Sequence, residues 1–254
     1  MLKVENLQFR YGRRSAPVLR GVSFTLREGE IGIVLGKNGS GKTTLFKTLL
    51  GIQAPTGGRM EFDGKDMAAL SRKERAALMA YVPQHIHFGD LTVFDSILAG
   101  RISSFGLRAG EEDYRAVEQL MEEMELTEFA GRYAEELSGG EMQKIAIARA
   151  MAQEPRLMVF DEPTGNLDIA NEQLILREAK KLSREKGLAI LSSLHDLNEA
   201  MAFGDRLFFM KDGVIKYDTA PENVSEDMIF DVYGLKVRML EVDGKRIILG
   251  GNEL

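Results

Sequence analysis

Three stretches of this chain combine residue types and spacings that could act on phosphate. The first is GKNGSGKT, Gly36 to Thr43. Its glycines would let backbone amides curl around phosphate oxygens, and a helix opening at Lys42 would add favourable dipole charge. In such a loop Lys42 reaches the β- and γ-phosphates and the Thr43 hydroxyl binds Mg²⁺. A glycine-rich turn that binds nothing is the alternative. A preceding strand, the spacing, the lysine and the threonine all argue against it.

The second is Leu157-Met158-Val159-Phe160-Asp161-Glu162. A buried strand that ends in acids places carboxylates beside a metal-bound phosphate. Asp161 would hold the metal's water shell, and Glu162 would polarise an attacking water. Alone, the pattern also fits a solvated loop; beside a phosphate loop it gains weight. The third is Leu137-Ser138-Gly139-Gly140-Glu141, leading into a helical run from Met142 to Ala152. A serine and two glycines at a helix start form an anion site. A capping box with Ser138 as N-cap and Glu141 at the third helical position explains those two residues. It does not explain two glycines, poor helix formers, in the first turn.

The elements that must position these stretches read as an α/β chain. Strand signals cover Leu2 to Tyr11, Val18 to Leu26, Ile31 to Leu35 and Arg59 to Asp63, and Asp63-Gly64 marks a tight turn. A helical pattern runs from Lys42 to Leu50. Residues 71–134 are dominated by helical patterns after the short strand Ala80-Tyr81-Val82. In Glu111 to Met124, Tyr114, Val117, Leu120, Met121 and Met124 share one helical face. This predicts a helical subdomain inserted into the α/β core. Strand Leu157 to Phe160, helix Asn171 to Glu185, strand Leu188 to Ser192, helix Leu197 to Phe203 and strand Arg206 to Lys211 then alternate, which predicts a largely parallel sheet. Ser225 to Val232 reads as a helix. Val237 to Val242 and Arg246 to Leu249 flank Asp243-Gly244 as a hairpin.

Composition narrows the function. The 254 residues carry 44% hydrophobic and 28% charged residues, a globular balance. Cysteine is absent, which removes thiol nucleophiles, disulfides and Cys-ligated zinc. A net charge of −6 argues against bulk binding of nucleic acid. No run of about 18 apolar residues occurs. The start, MLKVENLQFRYGRR, lacks a secretory apolar core. A cytoplasmic protein that reaches a membrane through a partner is the expectation.

Taken together, the motifs resemble the ATP-binding-cassette (ABC) family over about residues 2 to 220. LSGGE resembles that family's signature, and it precedes the Asp161 strand as the family order requires. The resemblance implies a P-loop NTPase cassette with a RecA-like mixed sheet core, an antiparallel β subdomain and an inserted helical subdomain. It implies a cassette domain over 1–224, with the helical insertion at about 85–152, and a tail of helix and hairpin over 225–254. It implies ATP and Mg²⁺, held by Gly36, Lys37, Asn38, Gly39, Ser40, Gly41, Lys42, Thr43 and Thr44, with Thr43, Gln84 and Asp161 toward the metal. Tyr11 falls where an aromatic ring stacks on adenine, although a core tyrosine ending a strand is the plainer reading. Gln84 matches the lid glutamine, His195 the switch histidine that contacts the γ-phosphate, and Glu162 the catalytic acid. Ser138, Gly139 and Gly140 match the signature that closes over nucleotide held by a second copy, and Asp168 lies in the loop that crosses that dimer. His85 and His87 have strand-like spacing without an evident third metal ligand, which favours an exposed loop. Three positions depart from the common pattern: Glu141 where glutamine is usual, and Gly165-Asn166 where Ser-Ala is usual.

Within the family, Leu91 to Arg101, His195 to Ala200, Pro221 to Val224 and Val232 to Gly234 resemble importers of iron-siderophore, haem and cobalamin. That likeness implies a second copy of the chain, integral-membrane permease subunits, an extracytoplasmic binding protein and a peripheral position on the cytoplasmic face. Thr164 to Asp168 instead resembles lipoprotein-release and cell-division ATPases. Zinc and manganese importers are close competitors, and a soluble non-transport ABC ATPase is a further alternative.

Overall fold

The apolar run Ile31-Gly32-Ile33-Val34-Leu35 is a five-residue strand with every residue buried. Burying each large side chain there contributes about 1.5–3 kcal/mol, so the segment that launches the phosphate loop is firmly held. In a computed structural model, residues 1–104, 108–164 and 169–250 are described. In chain order the elements are β1 (Leu2–Phe9), β2 (Leu19–Leu26), β3 (Ile31–Leu35), α1 (Lys42–Leu49), β4 (Gly57–Phe62) and β5 (Lys65–Asp66). Next come α2 (Arg72–Leu78), β6 (Met79–Val82), α3 (Val93–Leu98), α4 (Glu111–Glu123), α5 (Gly139–Met151), β7 (Leu157–Asp161) and α6 (Ile169–Lys186). The remainder are β8 (Ala189–Ser193), α7 (Leu197–Phe203), β9 (Arg206–Lys211), β10 (Val214–Thr219), α8 (Glu226–Tyr233), β11 (Val237–Val242) and β12 (Lys245–Gly250).

These elements fall into two units, Met1–Ala69 with Leu191–Leu254, and Leu70–Ile190. In the first, an antiparallel sheet has the order β2-β1-β4-β5. Alternation on either side of an irregularity at Glu5-Asn6 buries Leu2 and Val4, then Leu7 and Phe9. A second set of strands has the order β10-β9-β3, with β3 parallel to β9 and β10 antiparallel to it. The tail packs here as well. The Asn198 side chain exchanges two hydrogen bonds with the Ile248 backbone, at 2.7 and 3.1 Å, and the Met239 amide donates to Glu226 at 2.7 Å.

In the second unit β6 and β7 pair in parallel, Met79 opposite Leu157 through Val82 opposite Phe160. Helix α5 buries Ile145, Ala146, Ile147, Ala148 and Ala150. Arg101 is buried, its guanidinium bonded to Asp113 at 2.8 Å, to Glu154 at 2.8 Å and to the Ala152 carbonyl at 3.3 Å. Burial without such partners would be prohibitive for a cation. Of the face expected on α4, Val117, Met121 and Met124 are buried and Leu120 is half-buried. Tyr114 is exposed, but its ring stacks on Phe94 with centroids 5.9 Å apart.

The structure departs from the sequence expectation in three places. Strand β1 ends at Phe9, so Tyr11 lies beyond the strand rather than closing it. Helix α5 starts at Gly139, because Ser138 and Glu141 form a full capping box that sets the first turn around both glycines. Two strands were not anticipated: β5, only two residues long, and β10, half-exposed along its length.

Candidate functional site

The phosphate loop sits between β3 and α1. Its backbone requires glycine. A Cβ on Gly36 would lie 2.3 Å from the Met210 carbonyl oxygen, and Gly39 and Gly41 take φ of 80° and 108°, left-handed values that side chains resist. No side chain caps the start of α1, so the helix end offers its amides to the loop's interior. Lys42 is buried, 6% exposed, and its ammonium donates to the Gly36 carbonyl at 2.9 Å. The Ser40 hydroxyl is buried and has no hydrogen-bond partner. A buried, unpartnered hydroxyl is rare because its desolvation goes uncompensated. A phosphate oxygen would satisfy it, so this loop fits a nucleotide triphosphate. Lys37, Asn38, Gly39 and Thr43 are exposed, and Thr44 is buried.

Tyr11 stands with this loop. Its ring is 65% exposed, is set edge-on to Phe9, and its hydroxyl shares a hydrogen bond of 3.1 Å with the Thr44 hydroxyl. Hydrogen bonds from Thr44 and Gln53 draw the phenol below its ordinary range. An exposed ring tethered beside α1 is not a core residue; it is a flat apolar surface offered to solvent.

The second unit holds the acids. Asp161 ends β7 and is 2% exposed, and the Tyr81 hydroxyl donates to it at 3.3 Å. Burial and the neighbouring carboxylate both raise the Tyr81 phenol, so Tyr81 stays a donor. Glu162 follows in the left-handed region at φ 53° and accepts a hydrogen bond from the Gln84 amide. A non-glycine residue there carries backbone strain, a feature that clusters at functional positions. Gln84 and Glu162 are 78 positions apart, and the sequence reading assigned each a role without pairing them.

The signature segment starts α5. Ser138 accepts from the Glu141 amide at 3.4 Å, while Glu141 accepts from the Ser138 amide at 2.8 Å and hydroxyl at 2.7 Å. Gly140 now has a local reason that the sequence did not supply. A Cβ there would lie 2.4 Å from Oδ1 of Asn171. Ser138 and Gly139 remain exposed. His195 is exposed, directly before Asp196, which caps α7 by accepting from the Glu199 amide at 2.9 Å. Asp168, with Gly165 and Asn166, lies outside the described residues. His85 and His87 are exposed in a loop, and among the described residues no group of three metal-binding side chains occurs. Among those residues no helix is long and apolar enough to cross a membrane.

A family model described as ABC transporter matches residues 19–165, which run from β2 through the phosphate loop and signature to just past Glu162. The chain belongs to the ABC transporter family. It is an ATPase of the ABC cassette fold, working on ATP with Mg²⁺. An uncharacterized ABC transporter ATP-binding protein of Methanocaldococcus jannaschii is 34% identical over 98% of this chain and 97% of its own length. A phosphonates import ATP-binding protein of a Ruegeria species is 33% identical over 92% of this chain and 94% of its own. An inward-facing ABC transporter described as of metal-chelate type superposes with a TM-score of 0.83 at 28% identity, covering 97% of this chain and 95% of that one. A dimeric ATP-binding cassette in a post-hydrolysis state, bound to ADP and Pi, superposes at 0.77 with 29% identity, over 88% of this chain and 100% of that one.

Proposed function

We propose that this chain powers import of a metal chelate of the iron-siderophore, haem or cobalamin class. Two copies act head to tail on the cytoplasmic face of a membrane, docked on integral-membrane permease subunits that an extracytoplasmic binding protein supplies. The observation that carries this reading is reach. The transporter of metal-chelate type covers 97% of the chain, leaving about 8 residues unmatched, so the likeness extends through most of 225–254. The segments Leu91 to Arg101, His195 to Ala200, Pro221 to Val224 and Val232 to Gly234 support the same subfamily. A second reading, phosphonate import, is favoured by the Ruegeria relative. In both, the cassette occupies 1–224, with a helical insertion at about 85–152.

The roles follow from the residues. The amides of Gly36 to Thr44 and the Lys42 ammonium grip the phosphates, and the Ser40 hydroxyl gains its missing partner there. Thr43, Gln84 and Asp161 would hold Mg²⁺ and its waters, and the metal would supply neutralisation of the charge on the transferred phosphoryl group. Glu162 accepts the proton of the attacking water, oriented by its bond from Gln84. His195 steadies the γ-phosphate, and Tyr11 stacks on adenine. Ser138, Gly139, Gly140 and Asp168 serve the nucleotide of the other copy. Closing the pair excludes water from each nucleotide, which strengthens every one of these contacts.

The test is uptake by cells lacking this gene and complemented with the parent or with Glu162→Gln. Labelled ferric siderophore, haem, cobalamin and phosphonate are supplied in turn. The proposal expects loss of one metal chelate, restored by the parent alone. Loss confined to phosphonate uptake, or no loss at all, overturns it.

A further inference from the structure

Residues 225–254 lie outside the span of the family match, yet helix α8 ends against the phosphate loop. A Cβ on Gly234 would lie 3.4 Å from Nζ of Lys37, the loop's second residue. The residue before it, Tyr233, turns its hydroxyl toward the backbone of Gly36, the first. Burial pushes that phenol up to about 12, and the Gly36 amide offsets part of the rise. The loop also rests on the end of β9. The Met210 carbonyl oxygen presses on Gly36, and its Cε would stand 3.0 Å from a Cβ on Gly41.

The next residue of β9 holds the helix. Lys211 donates to the Asp231 carbonyl at 2.6 Å and to its carboxylate at 2.8 Å. Tyr217 of β10 donates to the other carboxylate oxygen at 2.8 Å, and Lys216 lies 3.5 Å away. One side chain of α8 is therefore tied to the strand pair that carries the loop, and two residues later the helix meets the loop itself. Gly234, at φ 68°, then ends the helix.

We infer that α8 positions the phosphate loop: Asp231 locks the helix to β9 and β10, and Tyr233 braces Gly36. Both are positioning residues that act through the loop. A cradle of backbone amides binds a triphosphate well only if it is already curled, because ordering it on binding costs affinity. The inference rests on the ATPase activity and is independent of the cargo reading.

The test uses the purified full chain with Tyr233→Phe, Tyr233→Leu and Asp231→Asn. KM and kcat for Mg-ATP are measured, with inhibition by inorganic tripolyphosphate as a phosphate-only probe. Asp231→Asn and Tyr233→Leu are expected to raise both the KM and the tripolyphosphate inhibition constant by about three- to tenfold, with kcat little changed. Tyr233→Phe, which keeps the ring, recovers part of the loss. An unchanged KM in Asp231→Asn and Tyr233→Phe overturns the inference. So does a fall in kcat alone, or weakened ATP binding without weakened tripolyphosphate binding. If Tyr233→Leu does not fold, the other two variants decide.

Discussion

Replacing Glu162 by glutamine removes a charge and almost no volume, so it isolates the carboxylate's chemistry. Glutamine inherits the left-handed backbone at φ 53° and the strain of about 1–2 kcal/mol that goes with it, so the fold bears nothing new there. The bond from Gln84 changes from charge-assisted to neutral. With Gln84 exposed to solvent, that change costs about 1 kcal/mol or less. In a chain of this length the melting temperature would fall by no more than about 2–4 °C. Loss of a general base lowers kcat by about 10²–10⁴, or about 3–5 kcal/mol in the barrier. The chemical effect exceeds the structural one several-fold, and the two are separable. Phosphate release at saturating Mg-ATP reads the first; thermal melting and binding of a fluorescent ATP analogue read the second. Glu162→Gly serves as the control: it relieves the strain and lacks the carboxylate, so kcat falls equally without a larger loss of stability. A kcat within tenfold of the parent, or a fall in kcat matched by lost nucleotide binding, would refute the role given to Glu162.

Two further outcomes follow. Gly140→Ala drives a Cβ into the Asn171 amide and should cost about 1–3 kcal/mol; adding Asn171→Ala should return part of the melting temperature while ATPase activity stays low, which would separate the glycine's packing role from the nucleotide-binding role proposed for it. Asp231 is held at about 2, below its ordinary 3.8, first by Lys211 and then by Tyr217. Its contribution is therefore present above about pH 4 and is lost as pH falls toward 2. Denaturant midpoints of Asp231→Asn should fall less steeply than the parent's across that window.

Much of the site was legible because its signals are local. The phosphate loop, Asp161 and Glu162 are read from a strand, a run of glycines and adjacent charges, all within a few positions. Likewise Asp63-Gly64 and Asp243-Gly244 announced their turns and sit with positive φ as such turns require. Contacts between distant positions left no trace. Nothing near Gly140 marks Asn171 as the side chain that needs it small, and nothing near Gly36 marks Tyr233. Tyr11 could be read as a core residue from alternation alone, because the end of β1 is fixed by pairing with β2 rather than by its own pattern. Strand β10 was missed although Asp212-Gly213 has a turn signal and positive φ at both residues. Its half-exposed pattern lacks the apolar run that marked β3 and β9. Helix α5 shows a cap overriding propensity: two glycines enter the first turn because the capping box and close packing at Gly140 outweigh their flexibility.

The claim that this ATPase drives a permease is tested most directly by capturing the tagged chain from solubilised native membranes and identifying its partners by mass spectrometry. The account predicts a many-helix membrane protein recovered in amounts comparable to the chain itself. A chain absent from the membrane fraction and accompanied only by soluble proteins would contradict it.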